Sequence, residues 1–382
     1  MIREKDLLIH LPYESFDESV VNFLYSAAND KDVLAIKQTL YRVSSSSPVV
    51  QALEKAVQNG KQVTVLMEVK ARFDEANNIL MARRLEKAGA HVIYGLVGLK
   101  THSKCTLVIR REKDGIRRYV HVATGNYNAS TAKLYTDLGI LTCNDRFGID
   151  ASAFFNLLSG YSDPPIWDSF IVAPINLRQR CIELIDREIH FAKNGEDAHM
   201  IAKMNSLLDK GIIEKLYEAS QAGVKIELIV RGICVLIPGI PGVSDNITVR
   251  SIVGRFLEHS RIFWFRNGGR EELYISSADW MPRNLNDRVE LMVPIEDPEI
   301  KRRLKQMVDI ELSDNQKAHI MQADGTWLKT ISAENQLCAQ EYFQKIAEKR
   351  DAEDEMTLAQ KLEPYTPCLL YTSDAADDLL CV

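Results

Sequence analysis

The sequence lacks the features that would place it in a membrane or at the start of a secretory route. No apolar run in its 382 residues reaches the roughly 18–20 residues that are needed to span a bilayer. Residues 1–6 hold no apolar core of signal-peptide length. We therefore expect a cytoplasmic protein, and the composition leaves peripheral association with a membrane surface open.

Cysteine is present, but its pattern fits neither a disulfide framework nor a zinc site. The seven residues are odd in number, widely spaced and without a CxxC pair. Reduced and mostly buried thiols are therefore expected. The cysteines are Cys105, Cys143, Cys181, Cys234, Cys338, Cys368 and Cys381.

An overall excess of positive charge is also lacking, since the formal net charge is -6, and this gives no sign of a nucleic-acid binder. The charge is distributed unevenly along the chain. Residues 100–120 contain seven basic residues against two acids, and residues 250–270 contain five arginines against one glutamate. Basic segments in an acidic protein indicate a specific anion site rather than a general polyanion surface.

What the sequence does contain is an alternation of strand and helix patterns, in a composition typical of soluble globular proteins. The β-branched run at residues 62–69 predicts a buried strand, and the helical spacing at 75–87 predicts a helix. The runs at 105–109 and 119–122 flank a charged Asp-Gly turn and predict a hairpin. The fold class indicated is α/β.

The order of elements starts again after a linker rich in proline and aspartate at residues 162–165. The first copy carries His102-Ser103-Lys104, a strand and a polar turn at residues 124–128; the second carries His259-Ser260-Arg261, a strand and a polar turn at 276–280. We predict a duplicated α/β unit in which both histidines face one cleft.

The His-x-basic pattern suits phosphoryl chemistry. Along a strand, the side chains of residues i and i+2 point to the same face. The side chains of His102 and Lys104 should therefore lie on one face, and so should those of His259 and Arg261. A ring nitrogen can attack phosphorus while the cation stabilises the phosphoryl oxygens, and the same positive charge disfavours the imidazolium form. The second histidine can serve as general acid or base. Structural roles are expected for His10, His91, His190, His199 and His319.

Several stretches resemble the phospholipase D superfamily, and within it the polyphosphate kinases that use a histidine nucleophile. Together they cover roughly residues 1–315, which is more specific than a single short motif. The resemblance implies two tandem phospholipase D-like α/β domains with mixed sheets flanked by helices. The matching stretches are residues 36–43, 71–77, 98–104, 124–128, 134–137, 228–232, 257–261 and 276–281.

The resemblance also implies roles for individual residues. His102 matches the phosphorylated nucleophile, and His259 matches its partner near the nucleotide. Tyr135 and Arg231 match positions that contact ATP. The implied reaction is reversible transfer of the terminal phosphate of ATP to polyphosphate, with ATP and ADP and inorganic polyphosphate as partners.

Mg²⁺ is the cofactor that the resemblance implies. Arg42 and Arg72 match the positions that the family assigns to magnesium. A guanidinium has no lone pair to give a metal, so we expect these arginines to hold phosphates that Mg²⁺ also bridges. An ion pair of Arg72 with Asp74 is the structural alternative.

The chain departs from hydrolytic members of the superfamily at two positions. Those proteins carry an aspartate five residues after the motif lysine, where this chain has Ile109 and, after Arg261, Arg266. This favours the kinase branch over the alternative of a phospholipase D-like phosphodiesterase. An inactive polyphosphate-binding fragment is a further alternative that the motifs leave open.

The predicted organisation is a first catalytic domain at residues 1–162 and a second at 163–350 with C-terminal helices. Residues 351–382 form a tail in which 368–378 resemble a translated sequencing adapter. The resemblance implies two further domains before residue 1, one of them used in dimer contacts. We therefore expect an N-terminally truncated enzyme whose full-length form is a homo-oligomer.

Overall fold

The computed structural model describes residues 2–44, 46–69, 75–96, 98–160 and 166–361, with the backbone alone for residues 351 and 353–361. The chain divides into two compact units, Met1–Gln340 and Glu341–Val382. The first unit contains both β-sheets, and the second contains, within its described residues, most of the last helix. The predicted linker at 162–165 and the adapter-like segment at 368–378 lie outside the described residues.

In the first half, a capping side chain and a proline mark the start of the helix Pro48–Gln58. The Ser47 hydroxyl accepts a hydrogen bond from the Val50 amide, and Pro48 occupies the first helical position. The predicted strand at 62–69, helix at 75–87 and hairpin are confirmed. In chain order the elements are β1 (Leu7–Leu11), a π-helical turn (Asp17–Val21), α1 (Asn22–Asn29), β2 (Val33–Leu40), α2 (Pro48–Gln58), β3 (Gln62–Met67), α3 (Glu75–Ala88), β4 (His91–Ile93), β5 (Lys100–Thr101), β6 (Lys104–Glu112), β7 (Gly115–Ala123), a 3-10 turn (Thr131–Lys133), β8 (Tyr135–Thr142) and α4 (Asp145–Leu158).

Two helices of the second half also begin at a capping side chain. Asp209 caps one by accepting from the Ile212 amide at 3.0 Å, and Asp297 caps another by accepting from Glu299 at 2.8 Å. Its elements are β9 (Ile171–Ala173), α5 (Leu177–Lys193), β10 (His199–Met204), α6 (Lys210–Gln221), β11 (Lys225–Val230), β12 (Ile247–Ile252), β13 (Leu257–Glu258), β14 (Ile262–Phe265), a 3-10 turn (Asn267–Gly269), β15 (Glu272–Ser276), α7 (Pro282–Asn286), β16 (Arg288–Pro294), α8 (Pro298–Leu312), β17 (Ala318–Met321), β18 (Trp327–Lys329) and α9 (Ala339–Lys361).

The two sheets share one topology. The first runs β1-β8-β7-β6-β2-β3-β4, and the second runs β9-β16-β15-β14-β10-β11-β12 with β17 and β18 added at its edge. In each, three parallel strands (β2-β3-β4 and β10-β11-β12) adjoin an antiparallel hairpin. The predicted duplicated α/β unit with mixed sheets is therefore confirmed.

Helices pack against each sheet, and each half has its own hydrophobic core between the sheet and its helices. In the first half the helical residues Leu24, Leu53 and Leu85 pack with Ile36 and Val65 of the sheet, all essentially inaccessible to solvent. Burial of one such side chain stabilises the folded state by about 1.5–3 kcal/mol. The core of the second half is built alike, from Leu184, Leu216, Met200, Leu228 and Phe263.

The end of the second half differs from expectation. The predicted C-terminal helices are present as α8 and α9, but an unpredicted hairpin of β17 and β18 lies between them, and α9 begins at Ala339. The side chain of Asp314 accepts from the Ala339 amide at 2.8 Å and so fixes that start. Among the described residues, no helix combines the length and the apolar character that a membrane span requires.

Candidate active site

His102 is held by a carboxylate from the other half of the chain. The short strand β5, which precedes this histidine, pairs in parallel with β16, so that Thr101 lies opposite Val289. The next residues in register are His102 and Glu290, and the histidine Nδ1 lies 2.9 Å from both carboxylate oxygens. The sheet register therefore places a proton acceptor beside Nδ1.

His259 is held in the same way, with the halves exchanged. The strand β13 pairs in parallel with β8, so that Glu258 lies opposite Thr136. The following residues are His259 and Asp137, whose carboxylate oxygens lie 2.8 and 3.0 Å from the histidine Nδ1. Each half thus supplies one histidine and the carboxylate for the histidine of the other half.

A hydroxyl group supports each carboxylate from within its own half. Thr124 donates to Asp137 at 2.6 Å, and Ser277 donates to Glu290 at 2.5 Å. Each hydroxyl also accepts from the amide that follows the carboxylate residue, and Asn284 adds a donor to Glu290 at 2.6 Å. Carboxylates with two or more donors are fixed in position.

Sequence reasoning did not identify the two carboxylates, their hydroxyl partners or Asn284 as site residues. The available signal was a single acidic residue inside each of two strands that are otherwise mostly apolar, β8 and β16. A buried carboxylate requires a partner, so these positions could have been flagged, although not matched to their histidines.

The imidazole of His102 is neutral at pH 7. Burial lowers its pKa well below the ordinary value, and the positive charges of Lys104, Arg288 and Arg261 lower it further. A neutral ring carries one proton. Here the proton is on Nδ1, which donates a hydrogen bond to the Glu290 carboxylate. The lone pair is therefore on Nε2, which is the arrangement that a nucleophilic histidine needs.

Lys104 and Glu290 are charged groups in a fully buried setting. The Lys104 ammonium donates to the His102 carbonyl oxygen. Burial lowers the pKa of Lys104 to about 7 and raises the pKa of Glu290 to about 7, and each acts against the shift of the other. Both groups thus titrate close to neutrality.

Arg261 lies against the second histidine. It is 3% exposed, forms a salt bridge with Asp279 at 3.2 Å and donates to the carbonyl oxygen of His259 at 2.7 Å. Burial alone would raise the pKa of Asp137, but His259, the Thr124 hydroxyl and Arg261 lower it overall. Asp137 is therefore an ionised acceptor for the His259 ring.

Tyr135 and Arg231 line one cavity of about 470 Å³, a size suited to a small-molecule ligand. The Tyr135 ring centroid lies 5.3 Å from that of His259. Arg231 donates from two guanidinium nitrogens to the Asn205 side-chain oxygen at 2.9 and 2.8 Å. The segment at residues 252–258, from the end of β12 to β13, also lines this cavity.

Arg42 is exposed and is linked to His102 through the ring of Tyr41. Its guanidinium carbon is 5.4 Å from the centroid of the Tyr41 ring, which is in turn 5.5 Å from the His102 ring. Asn128 donates to the carbonyl oxygen of Arg42 at 2.6 Å. Arg72, predicted to act with Arg42, lies outside the described residues.

Gly125 permits the close approach of Asp137 to the chain. A Cβ added at Gly125 would overlap the Asp137 carboxylate, and we expect Gly125→Ala to lower the free energy of unfolding by about 1–3 kcal/mol and to displace the partner of His259. Urea unfolding measures the first effect. Ala278→Gly, at the equivalent position of the second copy, is the control, and an unperturbed Gly125→Ala variant would contradict the steric argument.

Two family models match the chain, one after the other. The model described as Polyphosphate kinase C-terminal domain 1 matches residues 1–164, and Polyphosphate kinase C-terminal domain 2 matches residues 170–340. The chain is 60% identical over 317 residues to a polyphosphate kinase of Halalkalibacterium halodurans, covering 83% of this chain and 45% of that protein. It is 55% identical over 352 residues to a polyphosphate kinase of Synechocystis sp., and this match covers 91% of this chain and 48% of that protein.

Solved structures agree with the sequence relatives. A polyphosphate kinase from Porphyromonas gingivalis superposes with a TM-score of 0.86 at 40% identity, over 92% of this chain and 54% of that one. A phosphatidylserine synthase from Haemophilus influenzae superposes with a TM-score of 0.54 at 12% identity, over 94% of this chain and 95% of that one. At this identity the likeness shows a shared fold alone.

The expected fold of two tandem α/β units with mixed sheets flanked by helices is confirmed by the strand pairings and by these superpositions. The predicted boundaries at 162, 163 and 350 stay a prediction. The chain spans about half the length of the curated relatives that it matches. With both C-terminal domains matched in order and relatives above 50% identity, the chain belongs to the polyphosphate kinase family.

Proposed function

We propose that this chain transfers the terminal phosphate of ATP reversibly to polyphosphate through a phosphohistidine at His102. The observation that carries the proposal is the pair of crossed contacts, His102 with Glu290 and His259 with Asp137. These contacts leave the lone pair of His102 on Nε2 and hold in place a second histidine, His259, which helps to lower the pKa of His102. The family membership supports the same reaction.

In the proposed reaction, His102 Nε2 attacks the γ-phosphorus of ATP. A nitrogen–phosphorus bond forms, the bond from phosphorus to the bridging oxygen breaks, and ADP leaves. The terminal oxygen of a polyphosphate chain then attacks the same phosphorus, and the bond to nitrogen breaks. His259, oriented by Asp137, is the acid or base at the leaving or attacking oxygen.

The cations of the site stabilise the phosphoryl oxygens in this proposal. Lys104, Arg261 and Arg288 all act electrostatically on His102, and positive charge fixed in a buried site stabilises a developing anion more strongly than it would in water. Arg42, at the exposed side of His102, would contact the phosphates of the donor or the chain. Lys104 and Arg261 thus take the phosphate-stabilising roles predicted for them.

The described residues do not form a resident Mg²⁺ site. Among them, no group of three or more histidine, cysteine or acidic side chains could hold a metal ion. Asp137, Glu290 and Asp279 are each engaged by a histidine or an arginine, and the exposed Arg42 is a donor only. In the proposal, Mg²⁺ therefore arrives as part of the substrate, bound to the phosphates of ATP.

The nucleotide is placed in the cavity beside His259, where Tyr135 offers a ring and Arg231 a cation. Arg231→Ala is expected to weaken ATP binding by about 1.5–3 kcal/mol, the value of a hydrogen bond to a charged group. Isothermal titration calorimetry measures the change. Arg111→Ala, a change of an exposed arginine on β6, is the control, and an unchanged affinity of the Arg231 variant would count against this role.

The reaction is tested by incubating the purified chain with Mg²⁺, ATP labelled at its terminal phosphate and polyphosphate. Acid-labile, alkali-stable label on the protein and label in lengthened polyphosphate would support the proposal. Polyphosphate binding without labelled protein would favour the inactive-fragment alternative, and hydrolysis of a phosphodiester substrate would favour the phosphodiesterase. Homo-oligomerisation of the full-length protein and peripheral membrane association stay predictions.

A further inference from the structure

A buried cluster of charged and polar side chains lies directly behind the segment that carries His259. Its members are at most 5% exposed, and burial of charges at this depth requires that they satisfy one another. We call it the Glu258 cluster. It consists of Thr136, Lys203, Glu258, Glu311 and Gln340.

Glu258 is the centre of the cluster. One of its carboxylate oxygens accepts from Lys203 at 2.6 Å and from the Thr136 hydroxyl at 2.9 Å. The other accepts from the Gln340 amide at 2.6 Å. Burial lowers the pKa of Lys203, but Glu258 and Glu311 raise it overall, so the lysine is charged.

Gln340 joins this cluster to the wall of the cavity. Its side-chain oxygen accepts from the Phe256 amide at 3.0 Å, and its side-chain nitrogen donates to the Phe256 carbonyl at 2.9 Å. One side chain therefore satisfies both backbone groups of Phe256 and a carboxylate oxygen of Glu258. Phe256 and Glu258 both line the cavity that also contains Tyr135 and Arg231.

The equivalent place in the first half is built differently. There Thr101 precedes His102, as Glu258 precedes His259, and pairs with Val289 as Glu258 pairs with Thr136. A threonine thus occupies the position of the central glutamate, and the buried Thr101 hydroxyl has no hydrogen-bond partner among the described residues. The central glutamate is therefore not a repeated part of the duplicated unit, and it lines the cavity of Tyr135 and Arg231.

We propose that Gln340 is a positioning residue, which through Phe256 and Glu258 holds the wall of the nucleotide cavity in its binding shape. The role rests on the proposed function, because it assumes that ATP occupies this cavity. Asp137 holds the His259 ring independently, and His102 has its own partner in Glu290. Loss of Gln340 should therefore affect nucleotide binding selectively.

The test compares two phosphate donors. Gln340→Ala is expected to raise the dissociation constant for ATP at least about tenfold, as loss of more than one hydrogen bond would, and to slow labelling of His102 from ATP at low concentration. Labelling from terminally labelled polyphosphate, which needs no nucleotide, should stay within about twofold of wild type. Gln344→Ala, one turn further along α9, is the matched control.

A second variant leaves Gln340 in place. A Cβ at Gly254 would overlap the Gln340 side-chain oxygen, so Gly254→Ala should displace the amide and reproduce the same selective loss. An unchanged ATP dissociation constant in both variants overturns the positioning role, as does an equal loss of labelling from both donors. Absence of label in the wild-type chain from either donor contradicts the proposed function instead.

Discussion

His102→Ala is expected to abolish phosphoenzyme formation and to reduce phosphate transfer by on the order of 10⁴-fold or more, because the variant has no nucleophile at the centre of the site. The site itself should survive, since Glu290 keeps its hydrogen bonds from Ser277 and Asn284. Acid-labile label from ATP, measured on the denatured protein, is the readout.

The control for this variant is His190→Ala, which removes an exposed histidine at the end of α5. It should label like the wild type. Label at the wild-type level on the His102 variant would show that another group is the nucleophile, and peptide mapping would then locate it. Retained polyphosphate binding by the unlabelled variant would confirm that only the chemical step is lost.

Glu290→Gln is expected to slow labelling of His102 by about 10²–10⁴-fold, because an amide that presents its NH₂ group to Nδ1 favours the wrong tautomer of the ring. The effect should depend on pH. Burial raises the pKa of Glu290 to about 7 and lowers the pKa of Lys104 to about 7. Below this pH Glu290 is protonated and no longer accepts the hydrogen bond from His102 Nδ1. Above it Lys104 loses its positive charge.

The wild-type labelling rate should therefore pass through a maximum near neutrality. Because the rising limb depends on ionisation of Glu290, the Gln variant should lose that limb. Its falling limb should move to lower pH, since Glu290 no longer raises the pKa of Lys104. Glu183→Gln, a change of an exposed glutamate on α5, should keep both. A rising limb that persists in Glu290→Gln would assign it to a group other than this carboxylate.

Several elements of the first half were predictable because each depends on a local pattern. The buried strand β3, the helix α3 and the hairpin β6-β7 have hydrophobic periods that can be read within about ten residues, and the His-x-basic motif repeats before a strand in both halves. The pairing of the halves was inferred from this duplication alone. Here local pattern and global fold agree, as they do for most structural elements.

The carboxylates were not predictable from such patterns. Glu290 is 188 residues from His102, and Asp137 is 122 residues from His259, and no local period links positions so far apart. Each carboxylate becomes a site residue only through the register of a two-residue strand, β5 or β13. Elements that short have no hydrophobic period of their own.

The hairpin after α8 was not predicted, for a related reason. The hairpin β17-β18 turns at Asp324 and Gly325, where the glycine adopts a φ of 82°, and an Asp-Gly pair is a strong turn signal. The flanking strands are four and three residues long, and β18 is exposed throughout. Pairing with the edge strand β12, rather than local sequence, stabilises them.

The crossed strand pairing between the halves also gives the chain a symmetry of its own. In a symmetric dimer, residue i of one subunit contacts residue j of the other, and j contacts i in return. The crossed pairs of histidine and carboxylate follow this rule within one chain. Because both units belong to one chain, neither pair depends on the concentration of a second molecule, and the two pairs need not be identical: one half has Asp137 and Gly125 where the other has Glu290 and Ala278.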